Sequence, residues 1–290
     1  AAETGWQPQH MVLENGDGKI VATVPLYLKD NSYGEYIFDW SWADAYHRAG
    51  GSYYPKLQAA VPFTPVTGRR FLIDPKLPLE SRQKIQRTLI SGLTQLTDKL
   101  GISSFHMTFI GRSEWELCGE YGLLQRIDRQ FHWLNDGYQE FDDFLATLTS
   151  RKRKAIRKER RMALASGVKI SRLTGKDIEP RHWDAFYRFY LDTSNRKWGQ
   201  AYLNRQFFHL LGERLADRVL LVMAEDNGRA VGGALNLIGD DTLYGRYWGS
   251  LEHYRFLHFE ACYYQGLEYC IEHKLQCFDP GAQGSLDLIM

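Results

Sequence analysis

Leu243–Ala282, LYGRYWGSLEHYRFLHFEACYYQGLEYCIEHKLQCFDPGA, decides the fold. Its first residues alternate, which places Tyr244, Arg246 and Trp248 on one strand face and Gly245, Tyr247 and Gly249 on the other. A bulky loop follows, then an apolar-periodic stretch, HFEACYYQGLEYCIEHK, that reads as a helix. LQCFDPG is a second strand, ending on an Asp and a Gly. Upstream, VLLVMAED, GRAVGGALNLIG and DTLYGRYWGS read as three strands joined by DNGR and GDD turns. Strands linked by short turns, beside a strand reached only through a helix, imply a mixed sheet.

Working outward, the second half opens with a predicted helix over about 141–165, a strand VKISRL, and helices over about 180–193 and 203–215. The first half holds similar ingredients. HMVLEN and KIVATVPLYLKD are predicted strands around an ENGDGK turn, and YGEYIFDW is a third. SWADAYHRAG reads as a short helix and YYPKLQAAVPF as extended chain. Residues 79–100 read as a long helix stopped by Gly101. SSFHMTFI and FHWLN are strands, with SEWELCGEYG a short helix between them. The expected fold is α/β with mixed sheets and helices on both faces, built twice, as modules over 1–140 and 141–290.

The composition suits a packed core: 44% of the 290 residues are hydrophobic and the formal charge is only +1. The four cysteines, Cys118, Cys262, Cys270 and Cys277, form no C-x-x-C pair and are expected to be reduced thiols of a cytoplasmic protein. No apolar stretch has the length of a membrane span, and the N-terminus lacks the form of a signal peptide. AAETG at the start and SLDLIM at the end suggest a trimmed part of a longer chain. There is no H-E-x-x-H, zinc spacing, G-x-S-x-G, P-loop or dinucleotide fingerprint. No metal and no tightly bound cofactor is expected.

Residues 243–282, together with GGSYYPKLQAAVPFTPVTGRRFLI and GAQG, resemble a group of Fem-like proteins described as peptidoglycan biosynthesis/recognition, predicted N-acyltransferases. The resemblance covers most of the chain. It implies tandem modules of the GNAT acyltransferase fold. It also implies transfer of an acyl or aminoacyl group, from acyl-CoA or aminoacyl-tRNA, to an amine of a peptidoglycan precursor. A Fem-like protein that binds a peptidoglycan fragment or anionic polymer without catalysis is the alternative. The family carries a basic, His-containing continuation after GAQG, where this chain has SLDLIM.

The candidate residues follow from these readings. Glu260 and His258, at the head of the last helix, could take a proton from an attacking amine, or Glu260 could be only a partner of the helix dipole. Arg246 and Trp248, with Tyr254 and Arg255 in the loop, suit a cleft for a sugar or a carboxylate. Tyr53, Tyr54 and Lys56 are their counterparts in the first half, and Trp198 could form a lid. The loop GSLEHYRFLHFE has no glycine after Gly249, unlike a pyrophosphate cradle, so acyl-CoA is expected to bind weakly there. Gly68, Arg69 and Arg70 could hold a phosphate or form a plain turn. In SRKRKAIRKERR, Ser150–Arg161, eight of twelve residues are Lys or Arg. A similar R-K-x-I-R-K segment in Fem-type enzymes implies that Arg153, Lys154, Arg157 and Lys158 line the route of a tRNA or a nucleotide-linked precursor. A solvated helix face is the other reading.

Overall fold

Pro25 divides what the sequence presents as one strand. In the computed structural model, which describes residues 4–165, 167–197 and 201–281, the chain on its two sides joins different sheets. Strand β3 (Ile20–Val24) lies between β2 (Met11–Glu14) and β6 (Leu72–Ile73), and β4 (Leu26–Lys29) lies between β1 (Gln7–Pro8) and β5 (Lys56–Ala59). Proline has no N–H to give a ladder, so the change of sheet falls there. The sheet of β4 continues to β7 (Phe105–Met107), which runs parallel to β5. Helix α2 (Leu79–Leu100) makes the crossover and ends at Gly101 in the left-handed region, φ 60°. Leu26, Leu57, Ala59, Leu89, Ile90 and Leu93 form this unit's apolar core.

The expected strand 33–40 is instead an irregular turn with left-handed Tyr36 and Phe38. It leads to α1 (Trp40–Arg48), which buries none of its residues. Helix α3 (Arg112–Glu120) follows β7. The chain then divides into two compact units between Asp128 and Arg129. The second unit therefore begins earlier than the 141 read from the sequence, because β8 (Trp133–Leu134) pairs with β13 (Cys277–Asp279) at the edge of the second unit's sheet.

That sheet has the order β8-β13-β12-β11-β10-β9, with β9 at Lys169–Leu173, β10 at Val219–Asp226, β11 at Arg229–Ile238 and β12 at Thr242–Ser250. Only β12 and β13 are parallel among these neighbours. Alternation sends Val219, Leu221, Met223 and Leu235 to a core under α6 (Pro180–Lys197) and α7 (Arg205–Leu215). Leu220, Val222, Ala234, Leu243 and Phe278 go to a second core on the other face. The long helix predicted over 141–165 is two. Helix α4 (Phe141–Thr147) ends where Leu148 turns extended, ψ 158°, and Thr149 caps α5 (Ser150–Leu164) by accepting from Lys152 N at 3.4 Å. The last helix is α8 (Leu257–Phe259), a π-turn over Glu260–Tyr264, and α9 (Gln265–Glu272). Mixed sheets in two units, with helices on both faces of the second, are the α/β architecture that the sequence led us to expect.

Candidate active site

Parallel strands must part where each chain leaves for its next element, and the crevice beyond their carboxyl ends is where an α/β sheet receives ligands. In the second unit that fork lies between β12 and β13, whose last paired residues are Tyr244 and Asp279. Just beyond, the two chains are still close: a Cβ on Gly245 would meet Pro280 backbone atoms at 3.2 Å. Gly281 follows at φ +95° and donates its N–H to Asp279 Oδ1 at 2.8 Å. Asp279 is 3% exposed. It also accepts from Gln130 Nε2 at 3.0 Å, and His132 Nε2 stands 3.6 Å from Oδ2. Burial raises the Asp279 pKa, against the Gly281 N–H, His132, Arg246 and Gln130, which favour the carboxylate. His132 remains partly open to solvent.

A β-bulge brings Arg246 to the same place. Leu235 faces Tyr247 and Asn236 faces Gly245, so Arg246 is the extra residue between two rungs. A bulge bends its strand and re-aims a side chain. The bulge also overturns the simple alternation read from YGRYWGS. Tyr247 packs with Leu235 and Leu237, while Trp248 lies on the opposite face against Ala234 and Leu243. Arg246 donates to Tyr247 Oη at 3.2 Å and lies over that ring, 5.0 Å from its centre. Tyr247 and Tyr202 share a hydrogen bond of 2.9 Å, and Tyr190 accepts the Tyr202 and Leu203 N–H groups. Trp248 is partly buried, packed against that core.

Glu260 is wholly buried, and its carboxylate is occupied. Arg160 donates Nε to Oε2 and Nη2 to Oε1, both at 3.0 Å, and Gln265 adds a 2.7 Å hydrogen bond to Oε1. The third guanidinium nitrogen donates to Glu268 at 2.6 Å. Burial works against the Arg160 charge, but the bonds to Glu268 and Glu260 outweigh it and raise its pKa. Arg160 also lies over the Phe141 ring, and Glu159 accepts the Tyr264 hydroxyl. Two residues of the basic helix thus fasten the π-turn from below. A carboxylate in a bidentate pair is held as an anchor, which fits the structural reading of Glu260 better than the proton-accepting one. His258 is exposed, with its ring 5.4 Å from Trp248 and 5.7 Å from Tyr263.

The other expected residues are dispersed. Tyr254 donates to Asp226 at 3.0 Å, and Arg255 lies over Phe256, which is left-handed at φ 62°. Lys154 and Lys158 are exposed, Arg157 pairs with Asp142 at 2.9 Å, and Arg153 bonds Ser150 Oγ at 3.4 Å. Arg69 is exposed, but Arg70 is turned inward. Its guanidinium donates to the carbonyls of Val66, Gly68 and Arg69, and Glu114 accepts the backbone N–H groups of Arg70 and Phe71. Arg70 therefore shapes its loop from within. Tyr53, Tyr54 and Lys56 are brought together in a buried cluster of the first unit. Trp198 lies outside the described residues.

Reading the sequence missed Asp279, His132, Gln130 and Arg160. The D-P-G that closes the last strand was the available signal for Asp279. His132 and Gln130 reach it only by the pairing of β8, which no local pattern encodes.

A family model, FemAB-like, described as peptidoglycan biosynthesis/recognition, matches residues 1–289. No curated protein matches the sequence. Among solved structures, FemX is similar over 96% of this chain and 80% of its own, at a TM-score of 0.53 and 12% identity. L-PGS from Bacillus licheniformis is similar over 96% of this chain and 74% of its own, at a TM-score of 0.50 and 11% identity. At such identities these likenesses speak for the fold. Among the described residues, no helix is long and apolar enough to cross a membrane.

Proposed function

Because the chain belongs to the FemAB-like peptidoglycan biosynthesis/recognition family, we propose that it transfers an acyl group to an amine at the β12–β13 fork. The observation that carries the reading is the convergence of buried Asp279, His132 and the bulged Arg246 at the carboxyl ends of two parallel strands. In this reaction the amine nitrogen forms a bond to the acyl carbonyl carbon, and the bond from that carbon to the donor's oxygen or sulfur breaks. The nitrogen gives up a proton and the leaving atom takes one up. Asp279 is suited to accept the first proton, since burial raises its basicity and His132 offers a way to solvent. Arg246 is suited to orient a substrate carboxylate or phosphate.

The acceptor we propose is an amine of a peptidoglycan precursor, after the family's description. For the donor we favour aminoacyl-tRNA over acyl-CoA. The segment between β12 and the last helix is bulky, and the helix opens on Phe256 in the left-handed region and a π-turn, not on a glycine cradle. The exposed cations of α5 offer contacts to a polyanion.

The test supplies charged tRNA and acyl-CoA in parallel, with precursor amines, to wild type and Asp279→Asn. Transfer by wild type that falls about 100-fold or more in the variant supports the reading, since a positioned acid–base group contributes roughly 10²–10⁴-fold. Binding of precursor with no transfer from either donor would favour the non-catalytic alternative.

A further inference from the structure

Arg246 is the extra residue of the β12 bulge, and an arginine side chain has many rotamers to give up before it can point one way. Adjacent residues of a regular strand point to opposite faces, so the meeting of Arg246 with Tyr247 is a product of the bulge. Nη2 donates to Tyr247 Oη at 3.2 Å, and the guanidinium lies 5.0 Å from the centre of the same ring. A planar guanidinium held at once by a hydroxyl and by an aromatic face is restricted in both tilt and direction.

Tyr247 is itself fixed from the helical side. Gly249, two residues on, has no side chain, and a Cβ there would run into the backbone of Phe189, so α6 lies directly on β12. This brings buried Tyr190 of α6 within 5.4 Å of the Tyr247 ring. Tyr190 Oη accepts the N–H groups of Tyr202 and Leu203, at 3.0 and 3.1 Å, and so holds the chain between α6 and α7. Asn204 fixes the next residue by accepting the Phe207 N–H at 2.9 Å, which caps α7. From this anchored chain the Tyr202 hydroxyl meets that of Tyr247 at 2.9 Å. A hydroxyl that accepts from a cation is a better donor in turn, which favours Tyr247 as the donor to Tyr202 and lets the two bonds strengthen one another.

Packing alone does not ask for these hydroxyls. The rings make the contacts with Phe208, Leu235 and Leu237, and phenylalanine would make them as well. The oxygens serve a polar chain that runs from the α6–α7 connection, through Tyr202 and Tyr247, to the guanidinium at the fork.

We propose that Tyr247 and Tyr202 are positioning residues of the fork, whose hydroxyls aim the Arg246 guanidinium at an anionic group of the substrate. The proposal rests on the acyl-transfer reading, but the aim itself is measurable without turnover. Tyr247→Phe keeps the ring and removes the acceptor, and Tyr202→Phe removes the next hydroxyl. NMR relaxation of the Arg246 Nε–H, assigned by the signal missing from Arg246→Lys, reads the freedom of the guanidinium. It should be ordered in wild type, looser in Tyr202→Phe and loosest in Tyr247→Phe. Steady-state transfer from charged tRNA to a precursor amine supplies the second readout. In Tyr247→Phe the KM for one substrate should rise about tenfold, as expected for a lost hydrogen bond to a charged group, with little change in kcat. The substrate whose KM rises is the one that carries the anion. Tyr247→Phe should add nothing to the loss already caused by Arg246→Ala, because the hydroxyl acts through Arg246, whereas a merely structural tyrosine would add its own loss. An Arg246 Nε–H as ordered in Tyr247→Phe as in wild type would overturn the proposal, and so would additive losses in the double variant. Absence of transfer by wild type would count against the transferase reading alone, with the order of Arg246 still deciding this one.

Discussion

Arg160 is the residue by which the basic run acts inward. Its three nitrogens are spent on Glu260 and Glu268, and both Glu260 oxygens are buried with it. Arg160→Met should cost about 3–5 kcal/mol of stability in a denaturant titration, because it leaves a buried carboxylate unpaired. Arg160→Lys should recover only part, since an ammonium cannot make the bidentate pair. The run's composition hid this, but its periodicity did not. Arg160 lies four residues after Ile156 and three before Ala163, both buried, and so belongs to the inward stripe. His106 gives a pH prediction in the first unit. Burial and the Lys56 charge lower its pKa to about 4, against 6.5 for the free side chain. Between these values the unfolded chain binds the proton and the folded chain does not, so stability should fall as pH drops from about 6.5 to about 4. Thermal unfolding of His106→Gln should lack that part of the slope; an unchanged slope would remove His106 as its source.

At the scale of elements, periodicity was legible and its interruptions were not. Helix α2, the β2–β3 hairpin and the strands β10, β11 and β12 lie where the pattern puts them. Pro25 and Thr149 are visible signals for the breaks that follow them, but alternating or helical patterns on both sides bridge each one. The bulge at Arg246 has no local mark at all. It comes from pairing with β11, and one inserted residue is enough to send Tyr247 and Trp248 to faces opposite those expected. Helix α5 carries its own prediction. Arg153, Lys154, Arg157 and Lys158 together changed to Glu should weaken RNA binding. The salt dependence should become shallower by roughly 0.7 in log–log slope for each lost contact to a single strand. Stability should change little, because exposed charges contribute about 0–1 kcal/mol each. Filter binding at several salt concentrations reads both; equal affinities and slopes in the two proteins would make this a solvated helix face.

At the scale of the whole molecule, the sequence revealed family and fold more readily than site. Long strings such as YYPKLQAAVPFTPVTGRRFLI carry the family, and the order of strands and helices carries the mixed-sheet α/β architecture. A site, by contrast, is assembled by strand pairing: Gln130 and His132 meet Asp279 across about 150 residues of chain, a distance that only the β8–β13 ladder closes. The central claim is that this fork performs acyl transfer with Asp279 as the proton acceptor. The most direct measurement is the pH profile of single-turnover transfer from aminoacyl-tRNA to a precursor amine, in wild type and Asp279→Asn. Asp279 must be ionised to accept a proton, and burial raises its pKa. The wild-type rate should therefore fall on the acid side with a midpoint above the ordinary carboxylate value of about 3.9, and Asp279→Asn should be slower throughout and lack that limb. A variant with the wild-type rate and the same acid limb would contradict the claim.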